Sequence, residues 1–373
     1  MRQELASLTA DLVRIDSQSP DLVEGAPGEA DVARFVAEWL ERSGLEVEVE
    51  EAAPGRPNVI GTARGSGGGR TLMLNAHMDT VGVHGMEAPF EGRIEGDRVY
   101  GRGAYDMKAA LAAIMVAGRE AGRGGLRGDV VVTAVADEEN ASLGTTAIAA
   151  GRQADAAIVA EPTELGVAVA HRGFVAWEIE TTGRAAHGSR PDLGVDAIAH
   201  MGHVLVELDA LDRELRSREG HPLVRTGSLH AGMIEGGVEF STYPSSCLLR
   251  GERRTIPGES VASTLAELET IVARVGARVP DFRAEIRAEL SREPFAVPEE
   301  EPIVQLVKRH AGPTDVVGVP FWTDAALLQE AGIPTVVFGP AGEGAHANVE
   351  WVDLPSVERC AEVIQAVARD FCS

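Results

Sequence analysis

Apolar residues near the start of the chain recur at Leu5, Leu8, Leu12 and Ile15, the three- and four-residue spacing of one helix face. A second helical pattern over 29–43 gives way to apolar–polar alternation over 45–50, which predicts a half-buried strand. The runs 71–76, 129–136 and 156–160 are short and nearly unbroken in their apolar character, as expected of strands covered on both faces. A helical pattern over 107–121 separates the first two. Helices alternating with such strands predict an α/β layer fold, a mainly parallel sheet with helices on both faces.

From Gly173 the texture changes. Val175, Trp177 and Ile179 alternate with polar Glu178 and Glu180, a pattern of one buried and one open sheet face. A helix over 192–215, strands over 224–232 and 246–252, a helix over 259–275 and a strand over 282–290 complete a βαββαβ order. This order predicts a separate, ferredoxin-like α+β module. The α/β texture then returns, with helices over 302–310, 324–331 and 356–371 and a strand over 335–339. The simplest organisation is one α/β domain, residues 1–171 and 291–373, interrupted by an inserted module, residues 172–290.

Composition narrows the classes of function. A chain of 373 residues has room for two domains, and 44% hydrophobic content is that of a folded globular protein. The net charge of −24, spread along the chain, argues against nucleic acid and anionic membranes as partners, because both require a basic footprint. Cys247, Cys360 and Cys372 are too few and too scattered for a disulfide framework or a thiolate cluster, and point to a reducing, cytoplasmic setting. No apolar run reaches the length of a membrane span.

The residues with chemical potential collect at strand ends. His77 and Asp79 follow the run 71–76, two apart, so that strand geometry points both side chains to one face. Asp106 lies in GRGAYDMK, a glycine-rich turn before a helix, where it is equally suited to a helix cap. Asp137, Glu138 and Glu139 follow the run 129–136 directly; three adjacent carboxylates raise one another's pKa unless cations neutralise them. Glu161 ends the run 156–160, and His346 lies in the loop after 335–339. Each alone is more simply structural. Together, two imidazoles and several carboxylates at the ends of one sheet form a ligand set suited to Zn²⁺, Mn²⁺ or Co²⁺.

The segments HMDT, GRGAYDMK, DEE, AEPT and the late AH, in this order and spacing, resemble the M20 family of metal-dependent amidohydrolases and peptidases. The likeness spans essentially the whole chain and is strongest to the branch of acetylornithine deacetylase, succinyl-diaminopimelate desuccinylase, aminoacylase and glutamate carboxypeptidase. It implies two divalent ions per chain, zinc first with cobalt or manganese as alternatives. His77, Asp106 and Glu161 would surround one ion; Asp106, Glu139 and His346 would surround the other. Glu138 matches the general base, and Asp79 the residue that orients His77. In the inserted module, a lid and dimerisation domain in the family, His187 matches a histidine that reaches into the partner subunit's site. Arg254 matches an arginine that holds the substrate carboxylate. The family often has asparagine where this chain has Ser241.

The implied activity is hydrolysis of the amide bond of a small N-acyl amino acid through a metal-bridged water, by a homodimer. A carboxypeptidase or dipeptidase is the alternative enzyme, and a catalytically silent binding or scaffold homologue the alternative from another class. Trp322, Thr323 and Asp324, in PFWTDAALL, resemble a family loop that precedes a helix near the site, but Asp324 also suits a helix cap and is left out of the catalytic set.

Overall fold

The strand Leu72–His77 has no exposed residue on either face. The same holds for Arg56–Ala63 and Ala156–Val159, so the sheet they form is covered on both sides. The computed structural model describes residues 1–373. It divides into two compact units, Met1–Val169 with Val297–Val317 and Thr323–Ser373, and Ala170–Ala296 with Gly318–Trp322.

In the first unit the strands run in the order Glu46–Ala53, Arg56–Ala63, Val130–Val135, Leu72–His77, Ala156–Val159, Thr335–Val337 and Val167–His171. The centre of the sheet is parallel: Leu72–His77 pairs in parallel with Val130–Val135 on one side and Ala156–Val159 on the other, and Ala156–Val159 with Thr335–Val337. Its flanks are antiparallel: a tight turn at Gly55 that permits no crossover joins Glu46–Ala53 to Arg56–Ala63, Arg56–Ala63 also runs antiparallel to Val130–Val135, and Val167–His171 runs antiparallel to Thr335–Val337 at the other side. Each central parallel strand therefore delivers its carboxyl end to the same edge, where open α/β sheets bind ligands.

The helix Ala109–Arg123 is almost wholly buried, as its Ala-rich sequence permits: small side chains let it lie close to the sheet and to the helices Arg2–Val13 and Leu354–Phe371. It begins later than the apolar pattern suggests. Ala104–Lys108 form a π-type turn in which Asp106 and Met107 leave helical dihedrals, so Met107 belongs to the turn that carries Asp106 instead of the helix. Three elements had no clear sequence signal. The strand Arg56–Ala63 is broken up by Pro57, Asn58 and Gly61 yet is entirely buried. The helix Leu143–Gly151 is short, and the small sheet of Arg93–Glu95, Arg98–Tyr100, Gly342–Glu343 and Trp351–Asp353 is built from two- and three-residue strands.

The second unit is a four-stranded antiparallel sheet in the order Ser228–Gly236, Ser246–Thr255, Gly173–Thr182, Arg283–Arg292, with the helices Ala197–Ser217 and Val261–Gly276. Trp177, Ile179 and Leu249 meet Met201, Val204, Leu208, Leu268 and Ile271 in its core. The opposite face carries half-buried Glu178 and Glu180, with Arg250 paired to Glu178. The first helix starts at Ala197, later than expected, because Asp196 caps it by accepting from the Ala199 amide at 2.9 Å.

Candidate metal centre

Five segments of the first unit bring their polar residues together at the carboxyl edge of the sheet. His77 is the last residue of its strand and is buried; its register partner Val135 ends the neighbouring strand that leads into Asp137, Glu138 and Glu139. Glu161 lies just past Ala156–Val159, Asp106 lies in the π-type turn, and His346 lies in the loop after Thr335–Val337.

Asp106 stands in the middle. Its Oδ1 lies 3.2 Å from His77 Nε2, and its Oδ2 lies 3.4 Å from His346 Nε2. Glu161 Oε1 is 3.6 Å from His77 Nε2, while Glu139 Oε2 is 3.0 Å from His346 Nε2. The two carboxylate oxygens of one aspartate thus face two separate imidazole–carboxylate pairs. Glu138 Oε2 sits 4.0 Å from His77 Nε2, on the side of the first pair and little farther from the ring than Glu161. His346 holds a left-handed backbone at φ 61°, an uncommon conformation for a side-chain-bearing residue and one that recurs where function fixes a loop.

The tautomer of His77 follows from its neighbours. Its Nδ1 lies 3.0 Å from the Asp79 carbonyl, which can only accept, so Nδ1 carries a hydrogen and Nε2 is the nitrogen that faces the carboxylates. The Asp79 carboxylate is 3.7 Å from the same nitrogen, beyond hydrogen-bond distance. It instead accepts from the main-chain amides of Glu138 at 3.0 Å and Glu139 at 3.1 Å. Asp79 therefore aligns His77 through its main chain and the acidic loop through its side chain. Asp137 completes that loop: at φ 68°, its carboxylate accepts from Arg56 at 2.8 Å and from the Ala141 amide at 3.2 Å. Arg56 also grips buried Glu29.

The charge balance of this cluster is unfavourable as it stands. Burial, and then the proximity of Glu161, push Glu138 well above the ordinary carboxylate range. Burial raises Glu161 likewise, with Asp106 and Glu139 adding to the effect. Burial takes Asp79 up to about 7. Burial opposes ionisation of Asp106 too, but hydrogen bonds from His346 and His77 outweigh it and hold this carboxyl below its usual value. Asp106 and Glu139 raise His346 to about 10, and His77 is raised despite its burial. Glu139 Oε1 is buried with no hydrogen-bond partner. Orphaned buried carboxylate oxygen, crowded acids and imidazoles that lack only the loss of a proton fit hard-to-borderline divalent cations, whose charge would relieve all three. His77 with Glu138 and Glu161, and His77 with Asp106 and Glu139, each place one ligand atom apiece within 4.8 Å of one another.

Asp324 occupies the cap position of Ala325–Glu330 but makes no cap bond with its side chain. Its carboxylate is buried, accepts from Thr145 Oγ1 at 2.6 Å, and adds to the repulsion that raises Glu138 and Glu161. Two residues that the sequence assigns to the same reaction lie in the second unit. His187 is exposed; its Nδ1 lies 2.8 Å from Ser189 Oγ and accepts the Ser189 amide hydrogen at 3.2 Å. Arg254 is the penultimate residue of the strand Ser246–Thr255, donates through Nε to Glu252 at 2.7 Å and lies 5.5 Å over the Phe174 ring. The main-chain carbonyl of Ser241, the residue that departs from the family's asparagine, accepts from the Gly188 amide at 2.6 Å beside His187.

Comparison with known proteins gives a consistent result. Residues 73–370 match the peptidase family M20/M25/M40. The acetylornithine deacetylase of Proteus mirabilis is 30% identical over 351 residues, covering 91% of this chain and 89% of that protein. Among solved structures, an M20 family metallo-carboxypeptidase from Sulfolobus solfataricus superposes with a TM-score of 0.79 at 18% identity, covering 98% of both chains. A dinuclear metal-binding M20 peptidase from Bacillus subtilis gives 0.77 at 16% identity, covering 100% of this chain and 98% of that one. With the family match spanning most of the chain and the site in the first unit, the protein belongs to the M20/M25/M40 peptidase family and is a metallohydrolase.

Proposed function

We propose that this hydrolase cleaves the amide bond of a small N-acyl amino acid, in the manner of a deacetylase or desuccinylase. The observation that carries the reading is the placement of Asp106 between two imidazole–carboxylate pairs, with Glu138 next to His77 of the first. His77, Asp106 and Glu161 would hold one divalent ion, and Asp106, Glu139 and His346 a second, with zinc the first choice and cobalt or manganese also suited to the donors. Two such ions supply an activated water and a Lewis acid for the acyl carbonyl.

The chain's own residues do the rest. Glu138, ionised once the neighbouring cations are bound, takes the proton from the attacking water and returns it to the leaving nitrogen. Asp79 keeps Glu138 in place through its main-chain amide. His187 donates to the oxygen that gains charge as the carbonyl is attacked, acting in the partner subunit of a homodimer. Arg254 fixes the carboxylate of the amino-acid half. In this reading residues 1–171 and 291–373 form the catalytic domain and 172–290 the lid and dimerisation domain. The strand Ser228–Gly236, an edge strand with exposed Met233 and Ile234, supports association of two such modules. A cytoplasmic setting is supported by three buried free thiols.

The test is release of free amine from a panel of N-acyl amino acids and dipeptides, with Zn²⁺, Co²⁺ and Mn²⁺ supplied separately to chelated protein. Turnover of N-acetyl or N-succinyl amino acids, lost on chelation and restored by metal, supports the reading. Turnover confined to dipeptides or to C-terminal residues of longer peptides assigns a peptidase instead, and metal uptake without turnover of any substrate assigns a silent homologue.

A further inference from the structure

A buried ion pair outside the ligand set ties the metal-bearing loops to one another. Glu350 and Arg102 are both almost completely buried. Glu350 Oε2 accepts from Arg102 Nη1 at 2.7 Å and from the Gly103 amide at 3.0 Å. Its Oε1 accepts from the Tyr105 amide at 2.9 Å and from the Asp106 amide at 3.1 Å. One carboxylate thus gathers most of the turn that carries Asp106, and its acceptor sites are filled. Arg102 extends the connection: Nε donates to the Gly82 carbonyl at 3.2 Å, and Nη2 donates to the Ala347 carbonyl at 3.0 Å. Ala347 follows His346, and Gly82 lies three residues beyond Asp79. A single guanidinium therefore joins the segments that bear His77, Asp106 and His346, using a fork of donors that lysine lacks.

We propose that Glu350 and Arg102 are positioning residues that set the Asp106 turn against the His346 loop, and so fix the spacing at which the two divalent ions bind. This rests on the assignment of the metal ligands above. A buried ion pair is poor evidence of stabilisation by itself, since taking both charges out of water costs about what their attraction returns. What singles out this pair is its partners, which include the main chain of Asp106 and of the residue after His346. The two residues should also act differently. Glu350 holds the turn of Asp106, which faces both ion positions, whereas Arg102 grips the residue next to His346 but reaches the His77 segment only at Gly82, five residues away, so its loss bears mainly on the ion at His346.

The experiment is a Zn²⁺ titration of full-length protein against a competing chelator, with thermal melts of the metal-free forms alongside. In Glu350→Gln the amide turns a donor toward donors already in place, and both Zn²⁺ affinities should fall by about 10–100-fold, the usual effect of losing an outer-sphere partner. Arg102→Lys keeps the charge but not the fork, and should weaken the ion at His346 over a similar range and the other ion distinctly less. If both variants bind two ions as the wild type does, with lower melting temperatures alone, the pair merely supports the fold and the proposal is overturned. Should Glu350→Gln fail to fold, Arg102→Lys decides: separate loss of one ion supports the proposal, and equal loss of both, or failure to fold in excess Zn²⁺, overturns it. A wild type that takes up fewer than two ions, or is indifferent to His77→Ala, overturns the ligand assignment itself, an outcome distinct from failure of the clamp.

Discussion

Asp79 shows how much one buried carboxylate can do without touching the side chain it was expected to orient. Its two oxygens hold the amides of Glu138 and Glu139, so Asp79→Asn replaces one acceptor with a donor that meets an N–H it cannot satisfy. The expected cost is about 1–3 kcal/mol, read as a lower urea midpoint, together with lost turnover. Metal content should be retained, because the main-chain carbonyl that aligns His77 is unchanged. Collapse of metal content would return Asp79 to the role the sequence suggested. Part of the clustering was legible, because His77, Glu138, Glu139 and Glu161 directly follow apolar strands, whereas Asp106 and His346 lie in loops and were singled out only with the help of the family resemblance. The supports of these residues were not legible: a carbonyl that takes a histidine hydrogen has no letter in the sequence, and Glu350 meets Gly103 across 247 positions.

At the scale of elements, the helix Ala109–Arg123 depends on small residues where it meets the sheet. A Cβ added at Gly118 would lie 2.5 Å from Val132 Cγ2, and Val132 is fully buried with no room to withdraw. Helix propensity favours Gly118→Ala by about 1 kcal/mol, while forcing an extra methyl into a packed core costs about 1–3 kcal/mol. The overpacking should win, and chemical denaturation should find the variant less stable; a gain in stability would show that this interface yields. Helices and the fully apolar strands were readable because their period is carried by every residue. The strand Arg56–Ala63 was not, since Arg56 is buried only by virtue of Glu29 and Asp137, partners 27 and 81 positions away. The start of the helix was misread for a related reason: apolar periodicity continues through Met107, while the main chain there is committed to presenting Asp106.

At the scale of the whole molecule, the proposed exchange of His187 between subunits makes a quantitative claim. Neither His187→Ala nor Glu138→Ala homodimers should turn over appreciably. Mixing the two and allowing exchange gives hybrid dimers in half of cases, each with one complete site, so activity should return to roughly a quarter of wild type. No recovery despite demonstrated exchange would mean that His187 acts within its own chain or not at all. The βαββαβ order was legible from the alternation around Trp177, but a partner's surface is not written into one chain's periodicity.

The central claim is that Asp106 bridges two ions held by His77, Glu161, Glu139 and His346, with Glu138 left free to move the proton. The most direct measurement compares metal content and amine release in Glu138→Gln and Glu139→Gln under saturating Zn²⁺. Glu138→Gln should keep two ions per chain and lose turnover by at least the roughly 10²–10⁴-fold typical of a missing general base, while Glu139→Gln should lose an ion. Retention of both ions by Glu139→Gln together with metal loss in Glu138→Gln, or a fully active wild type holding a single ion, would contradict it.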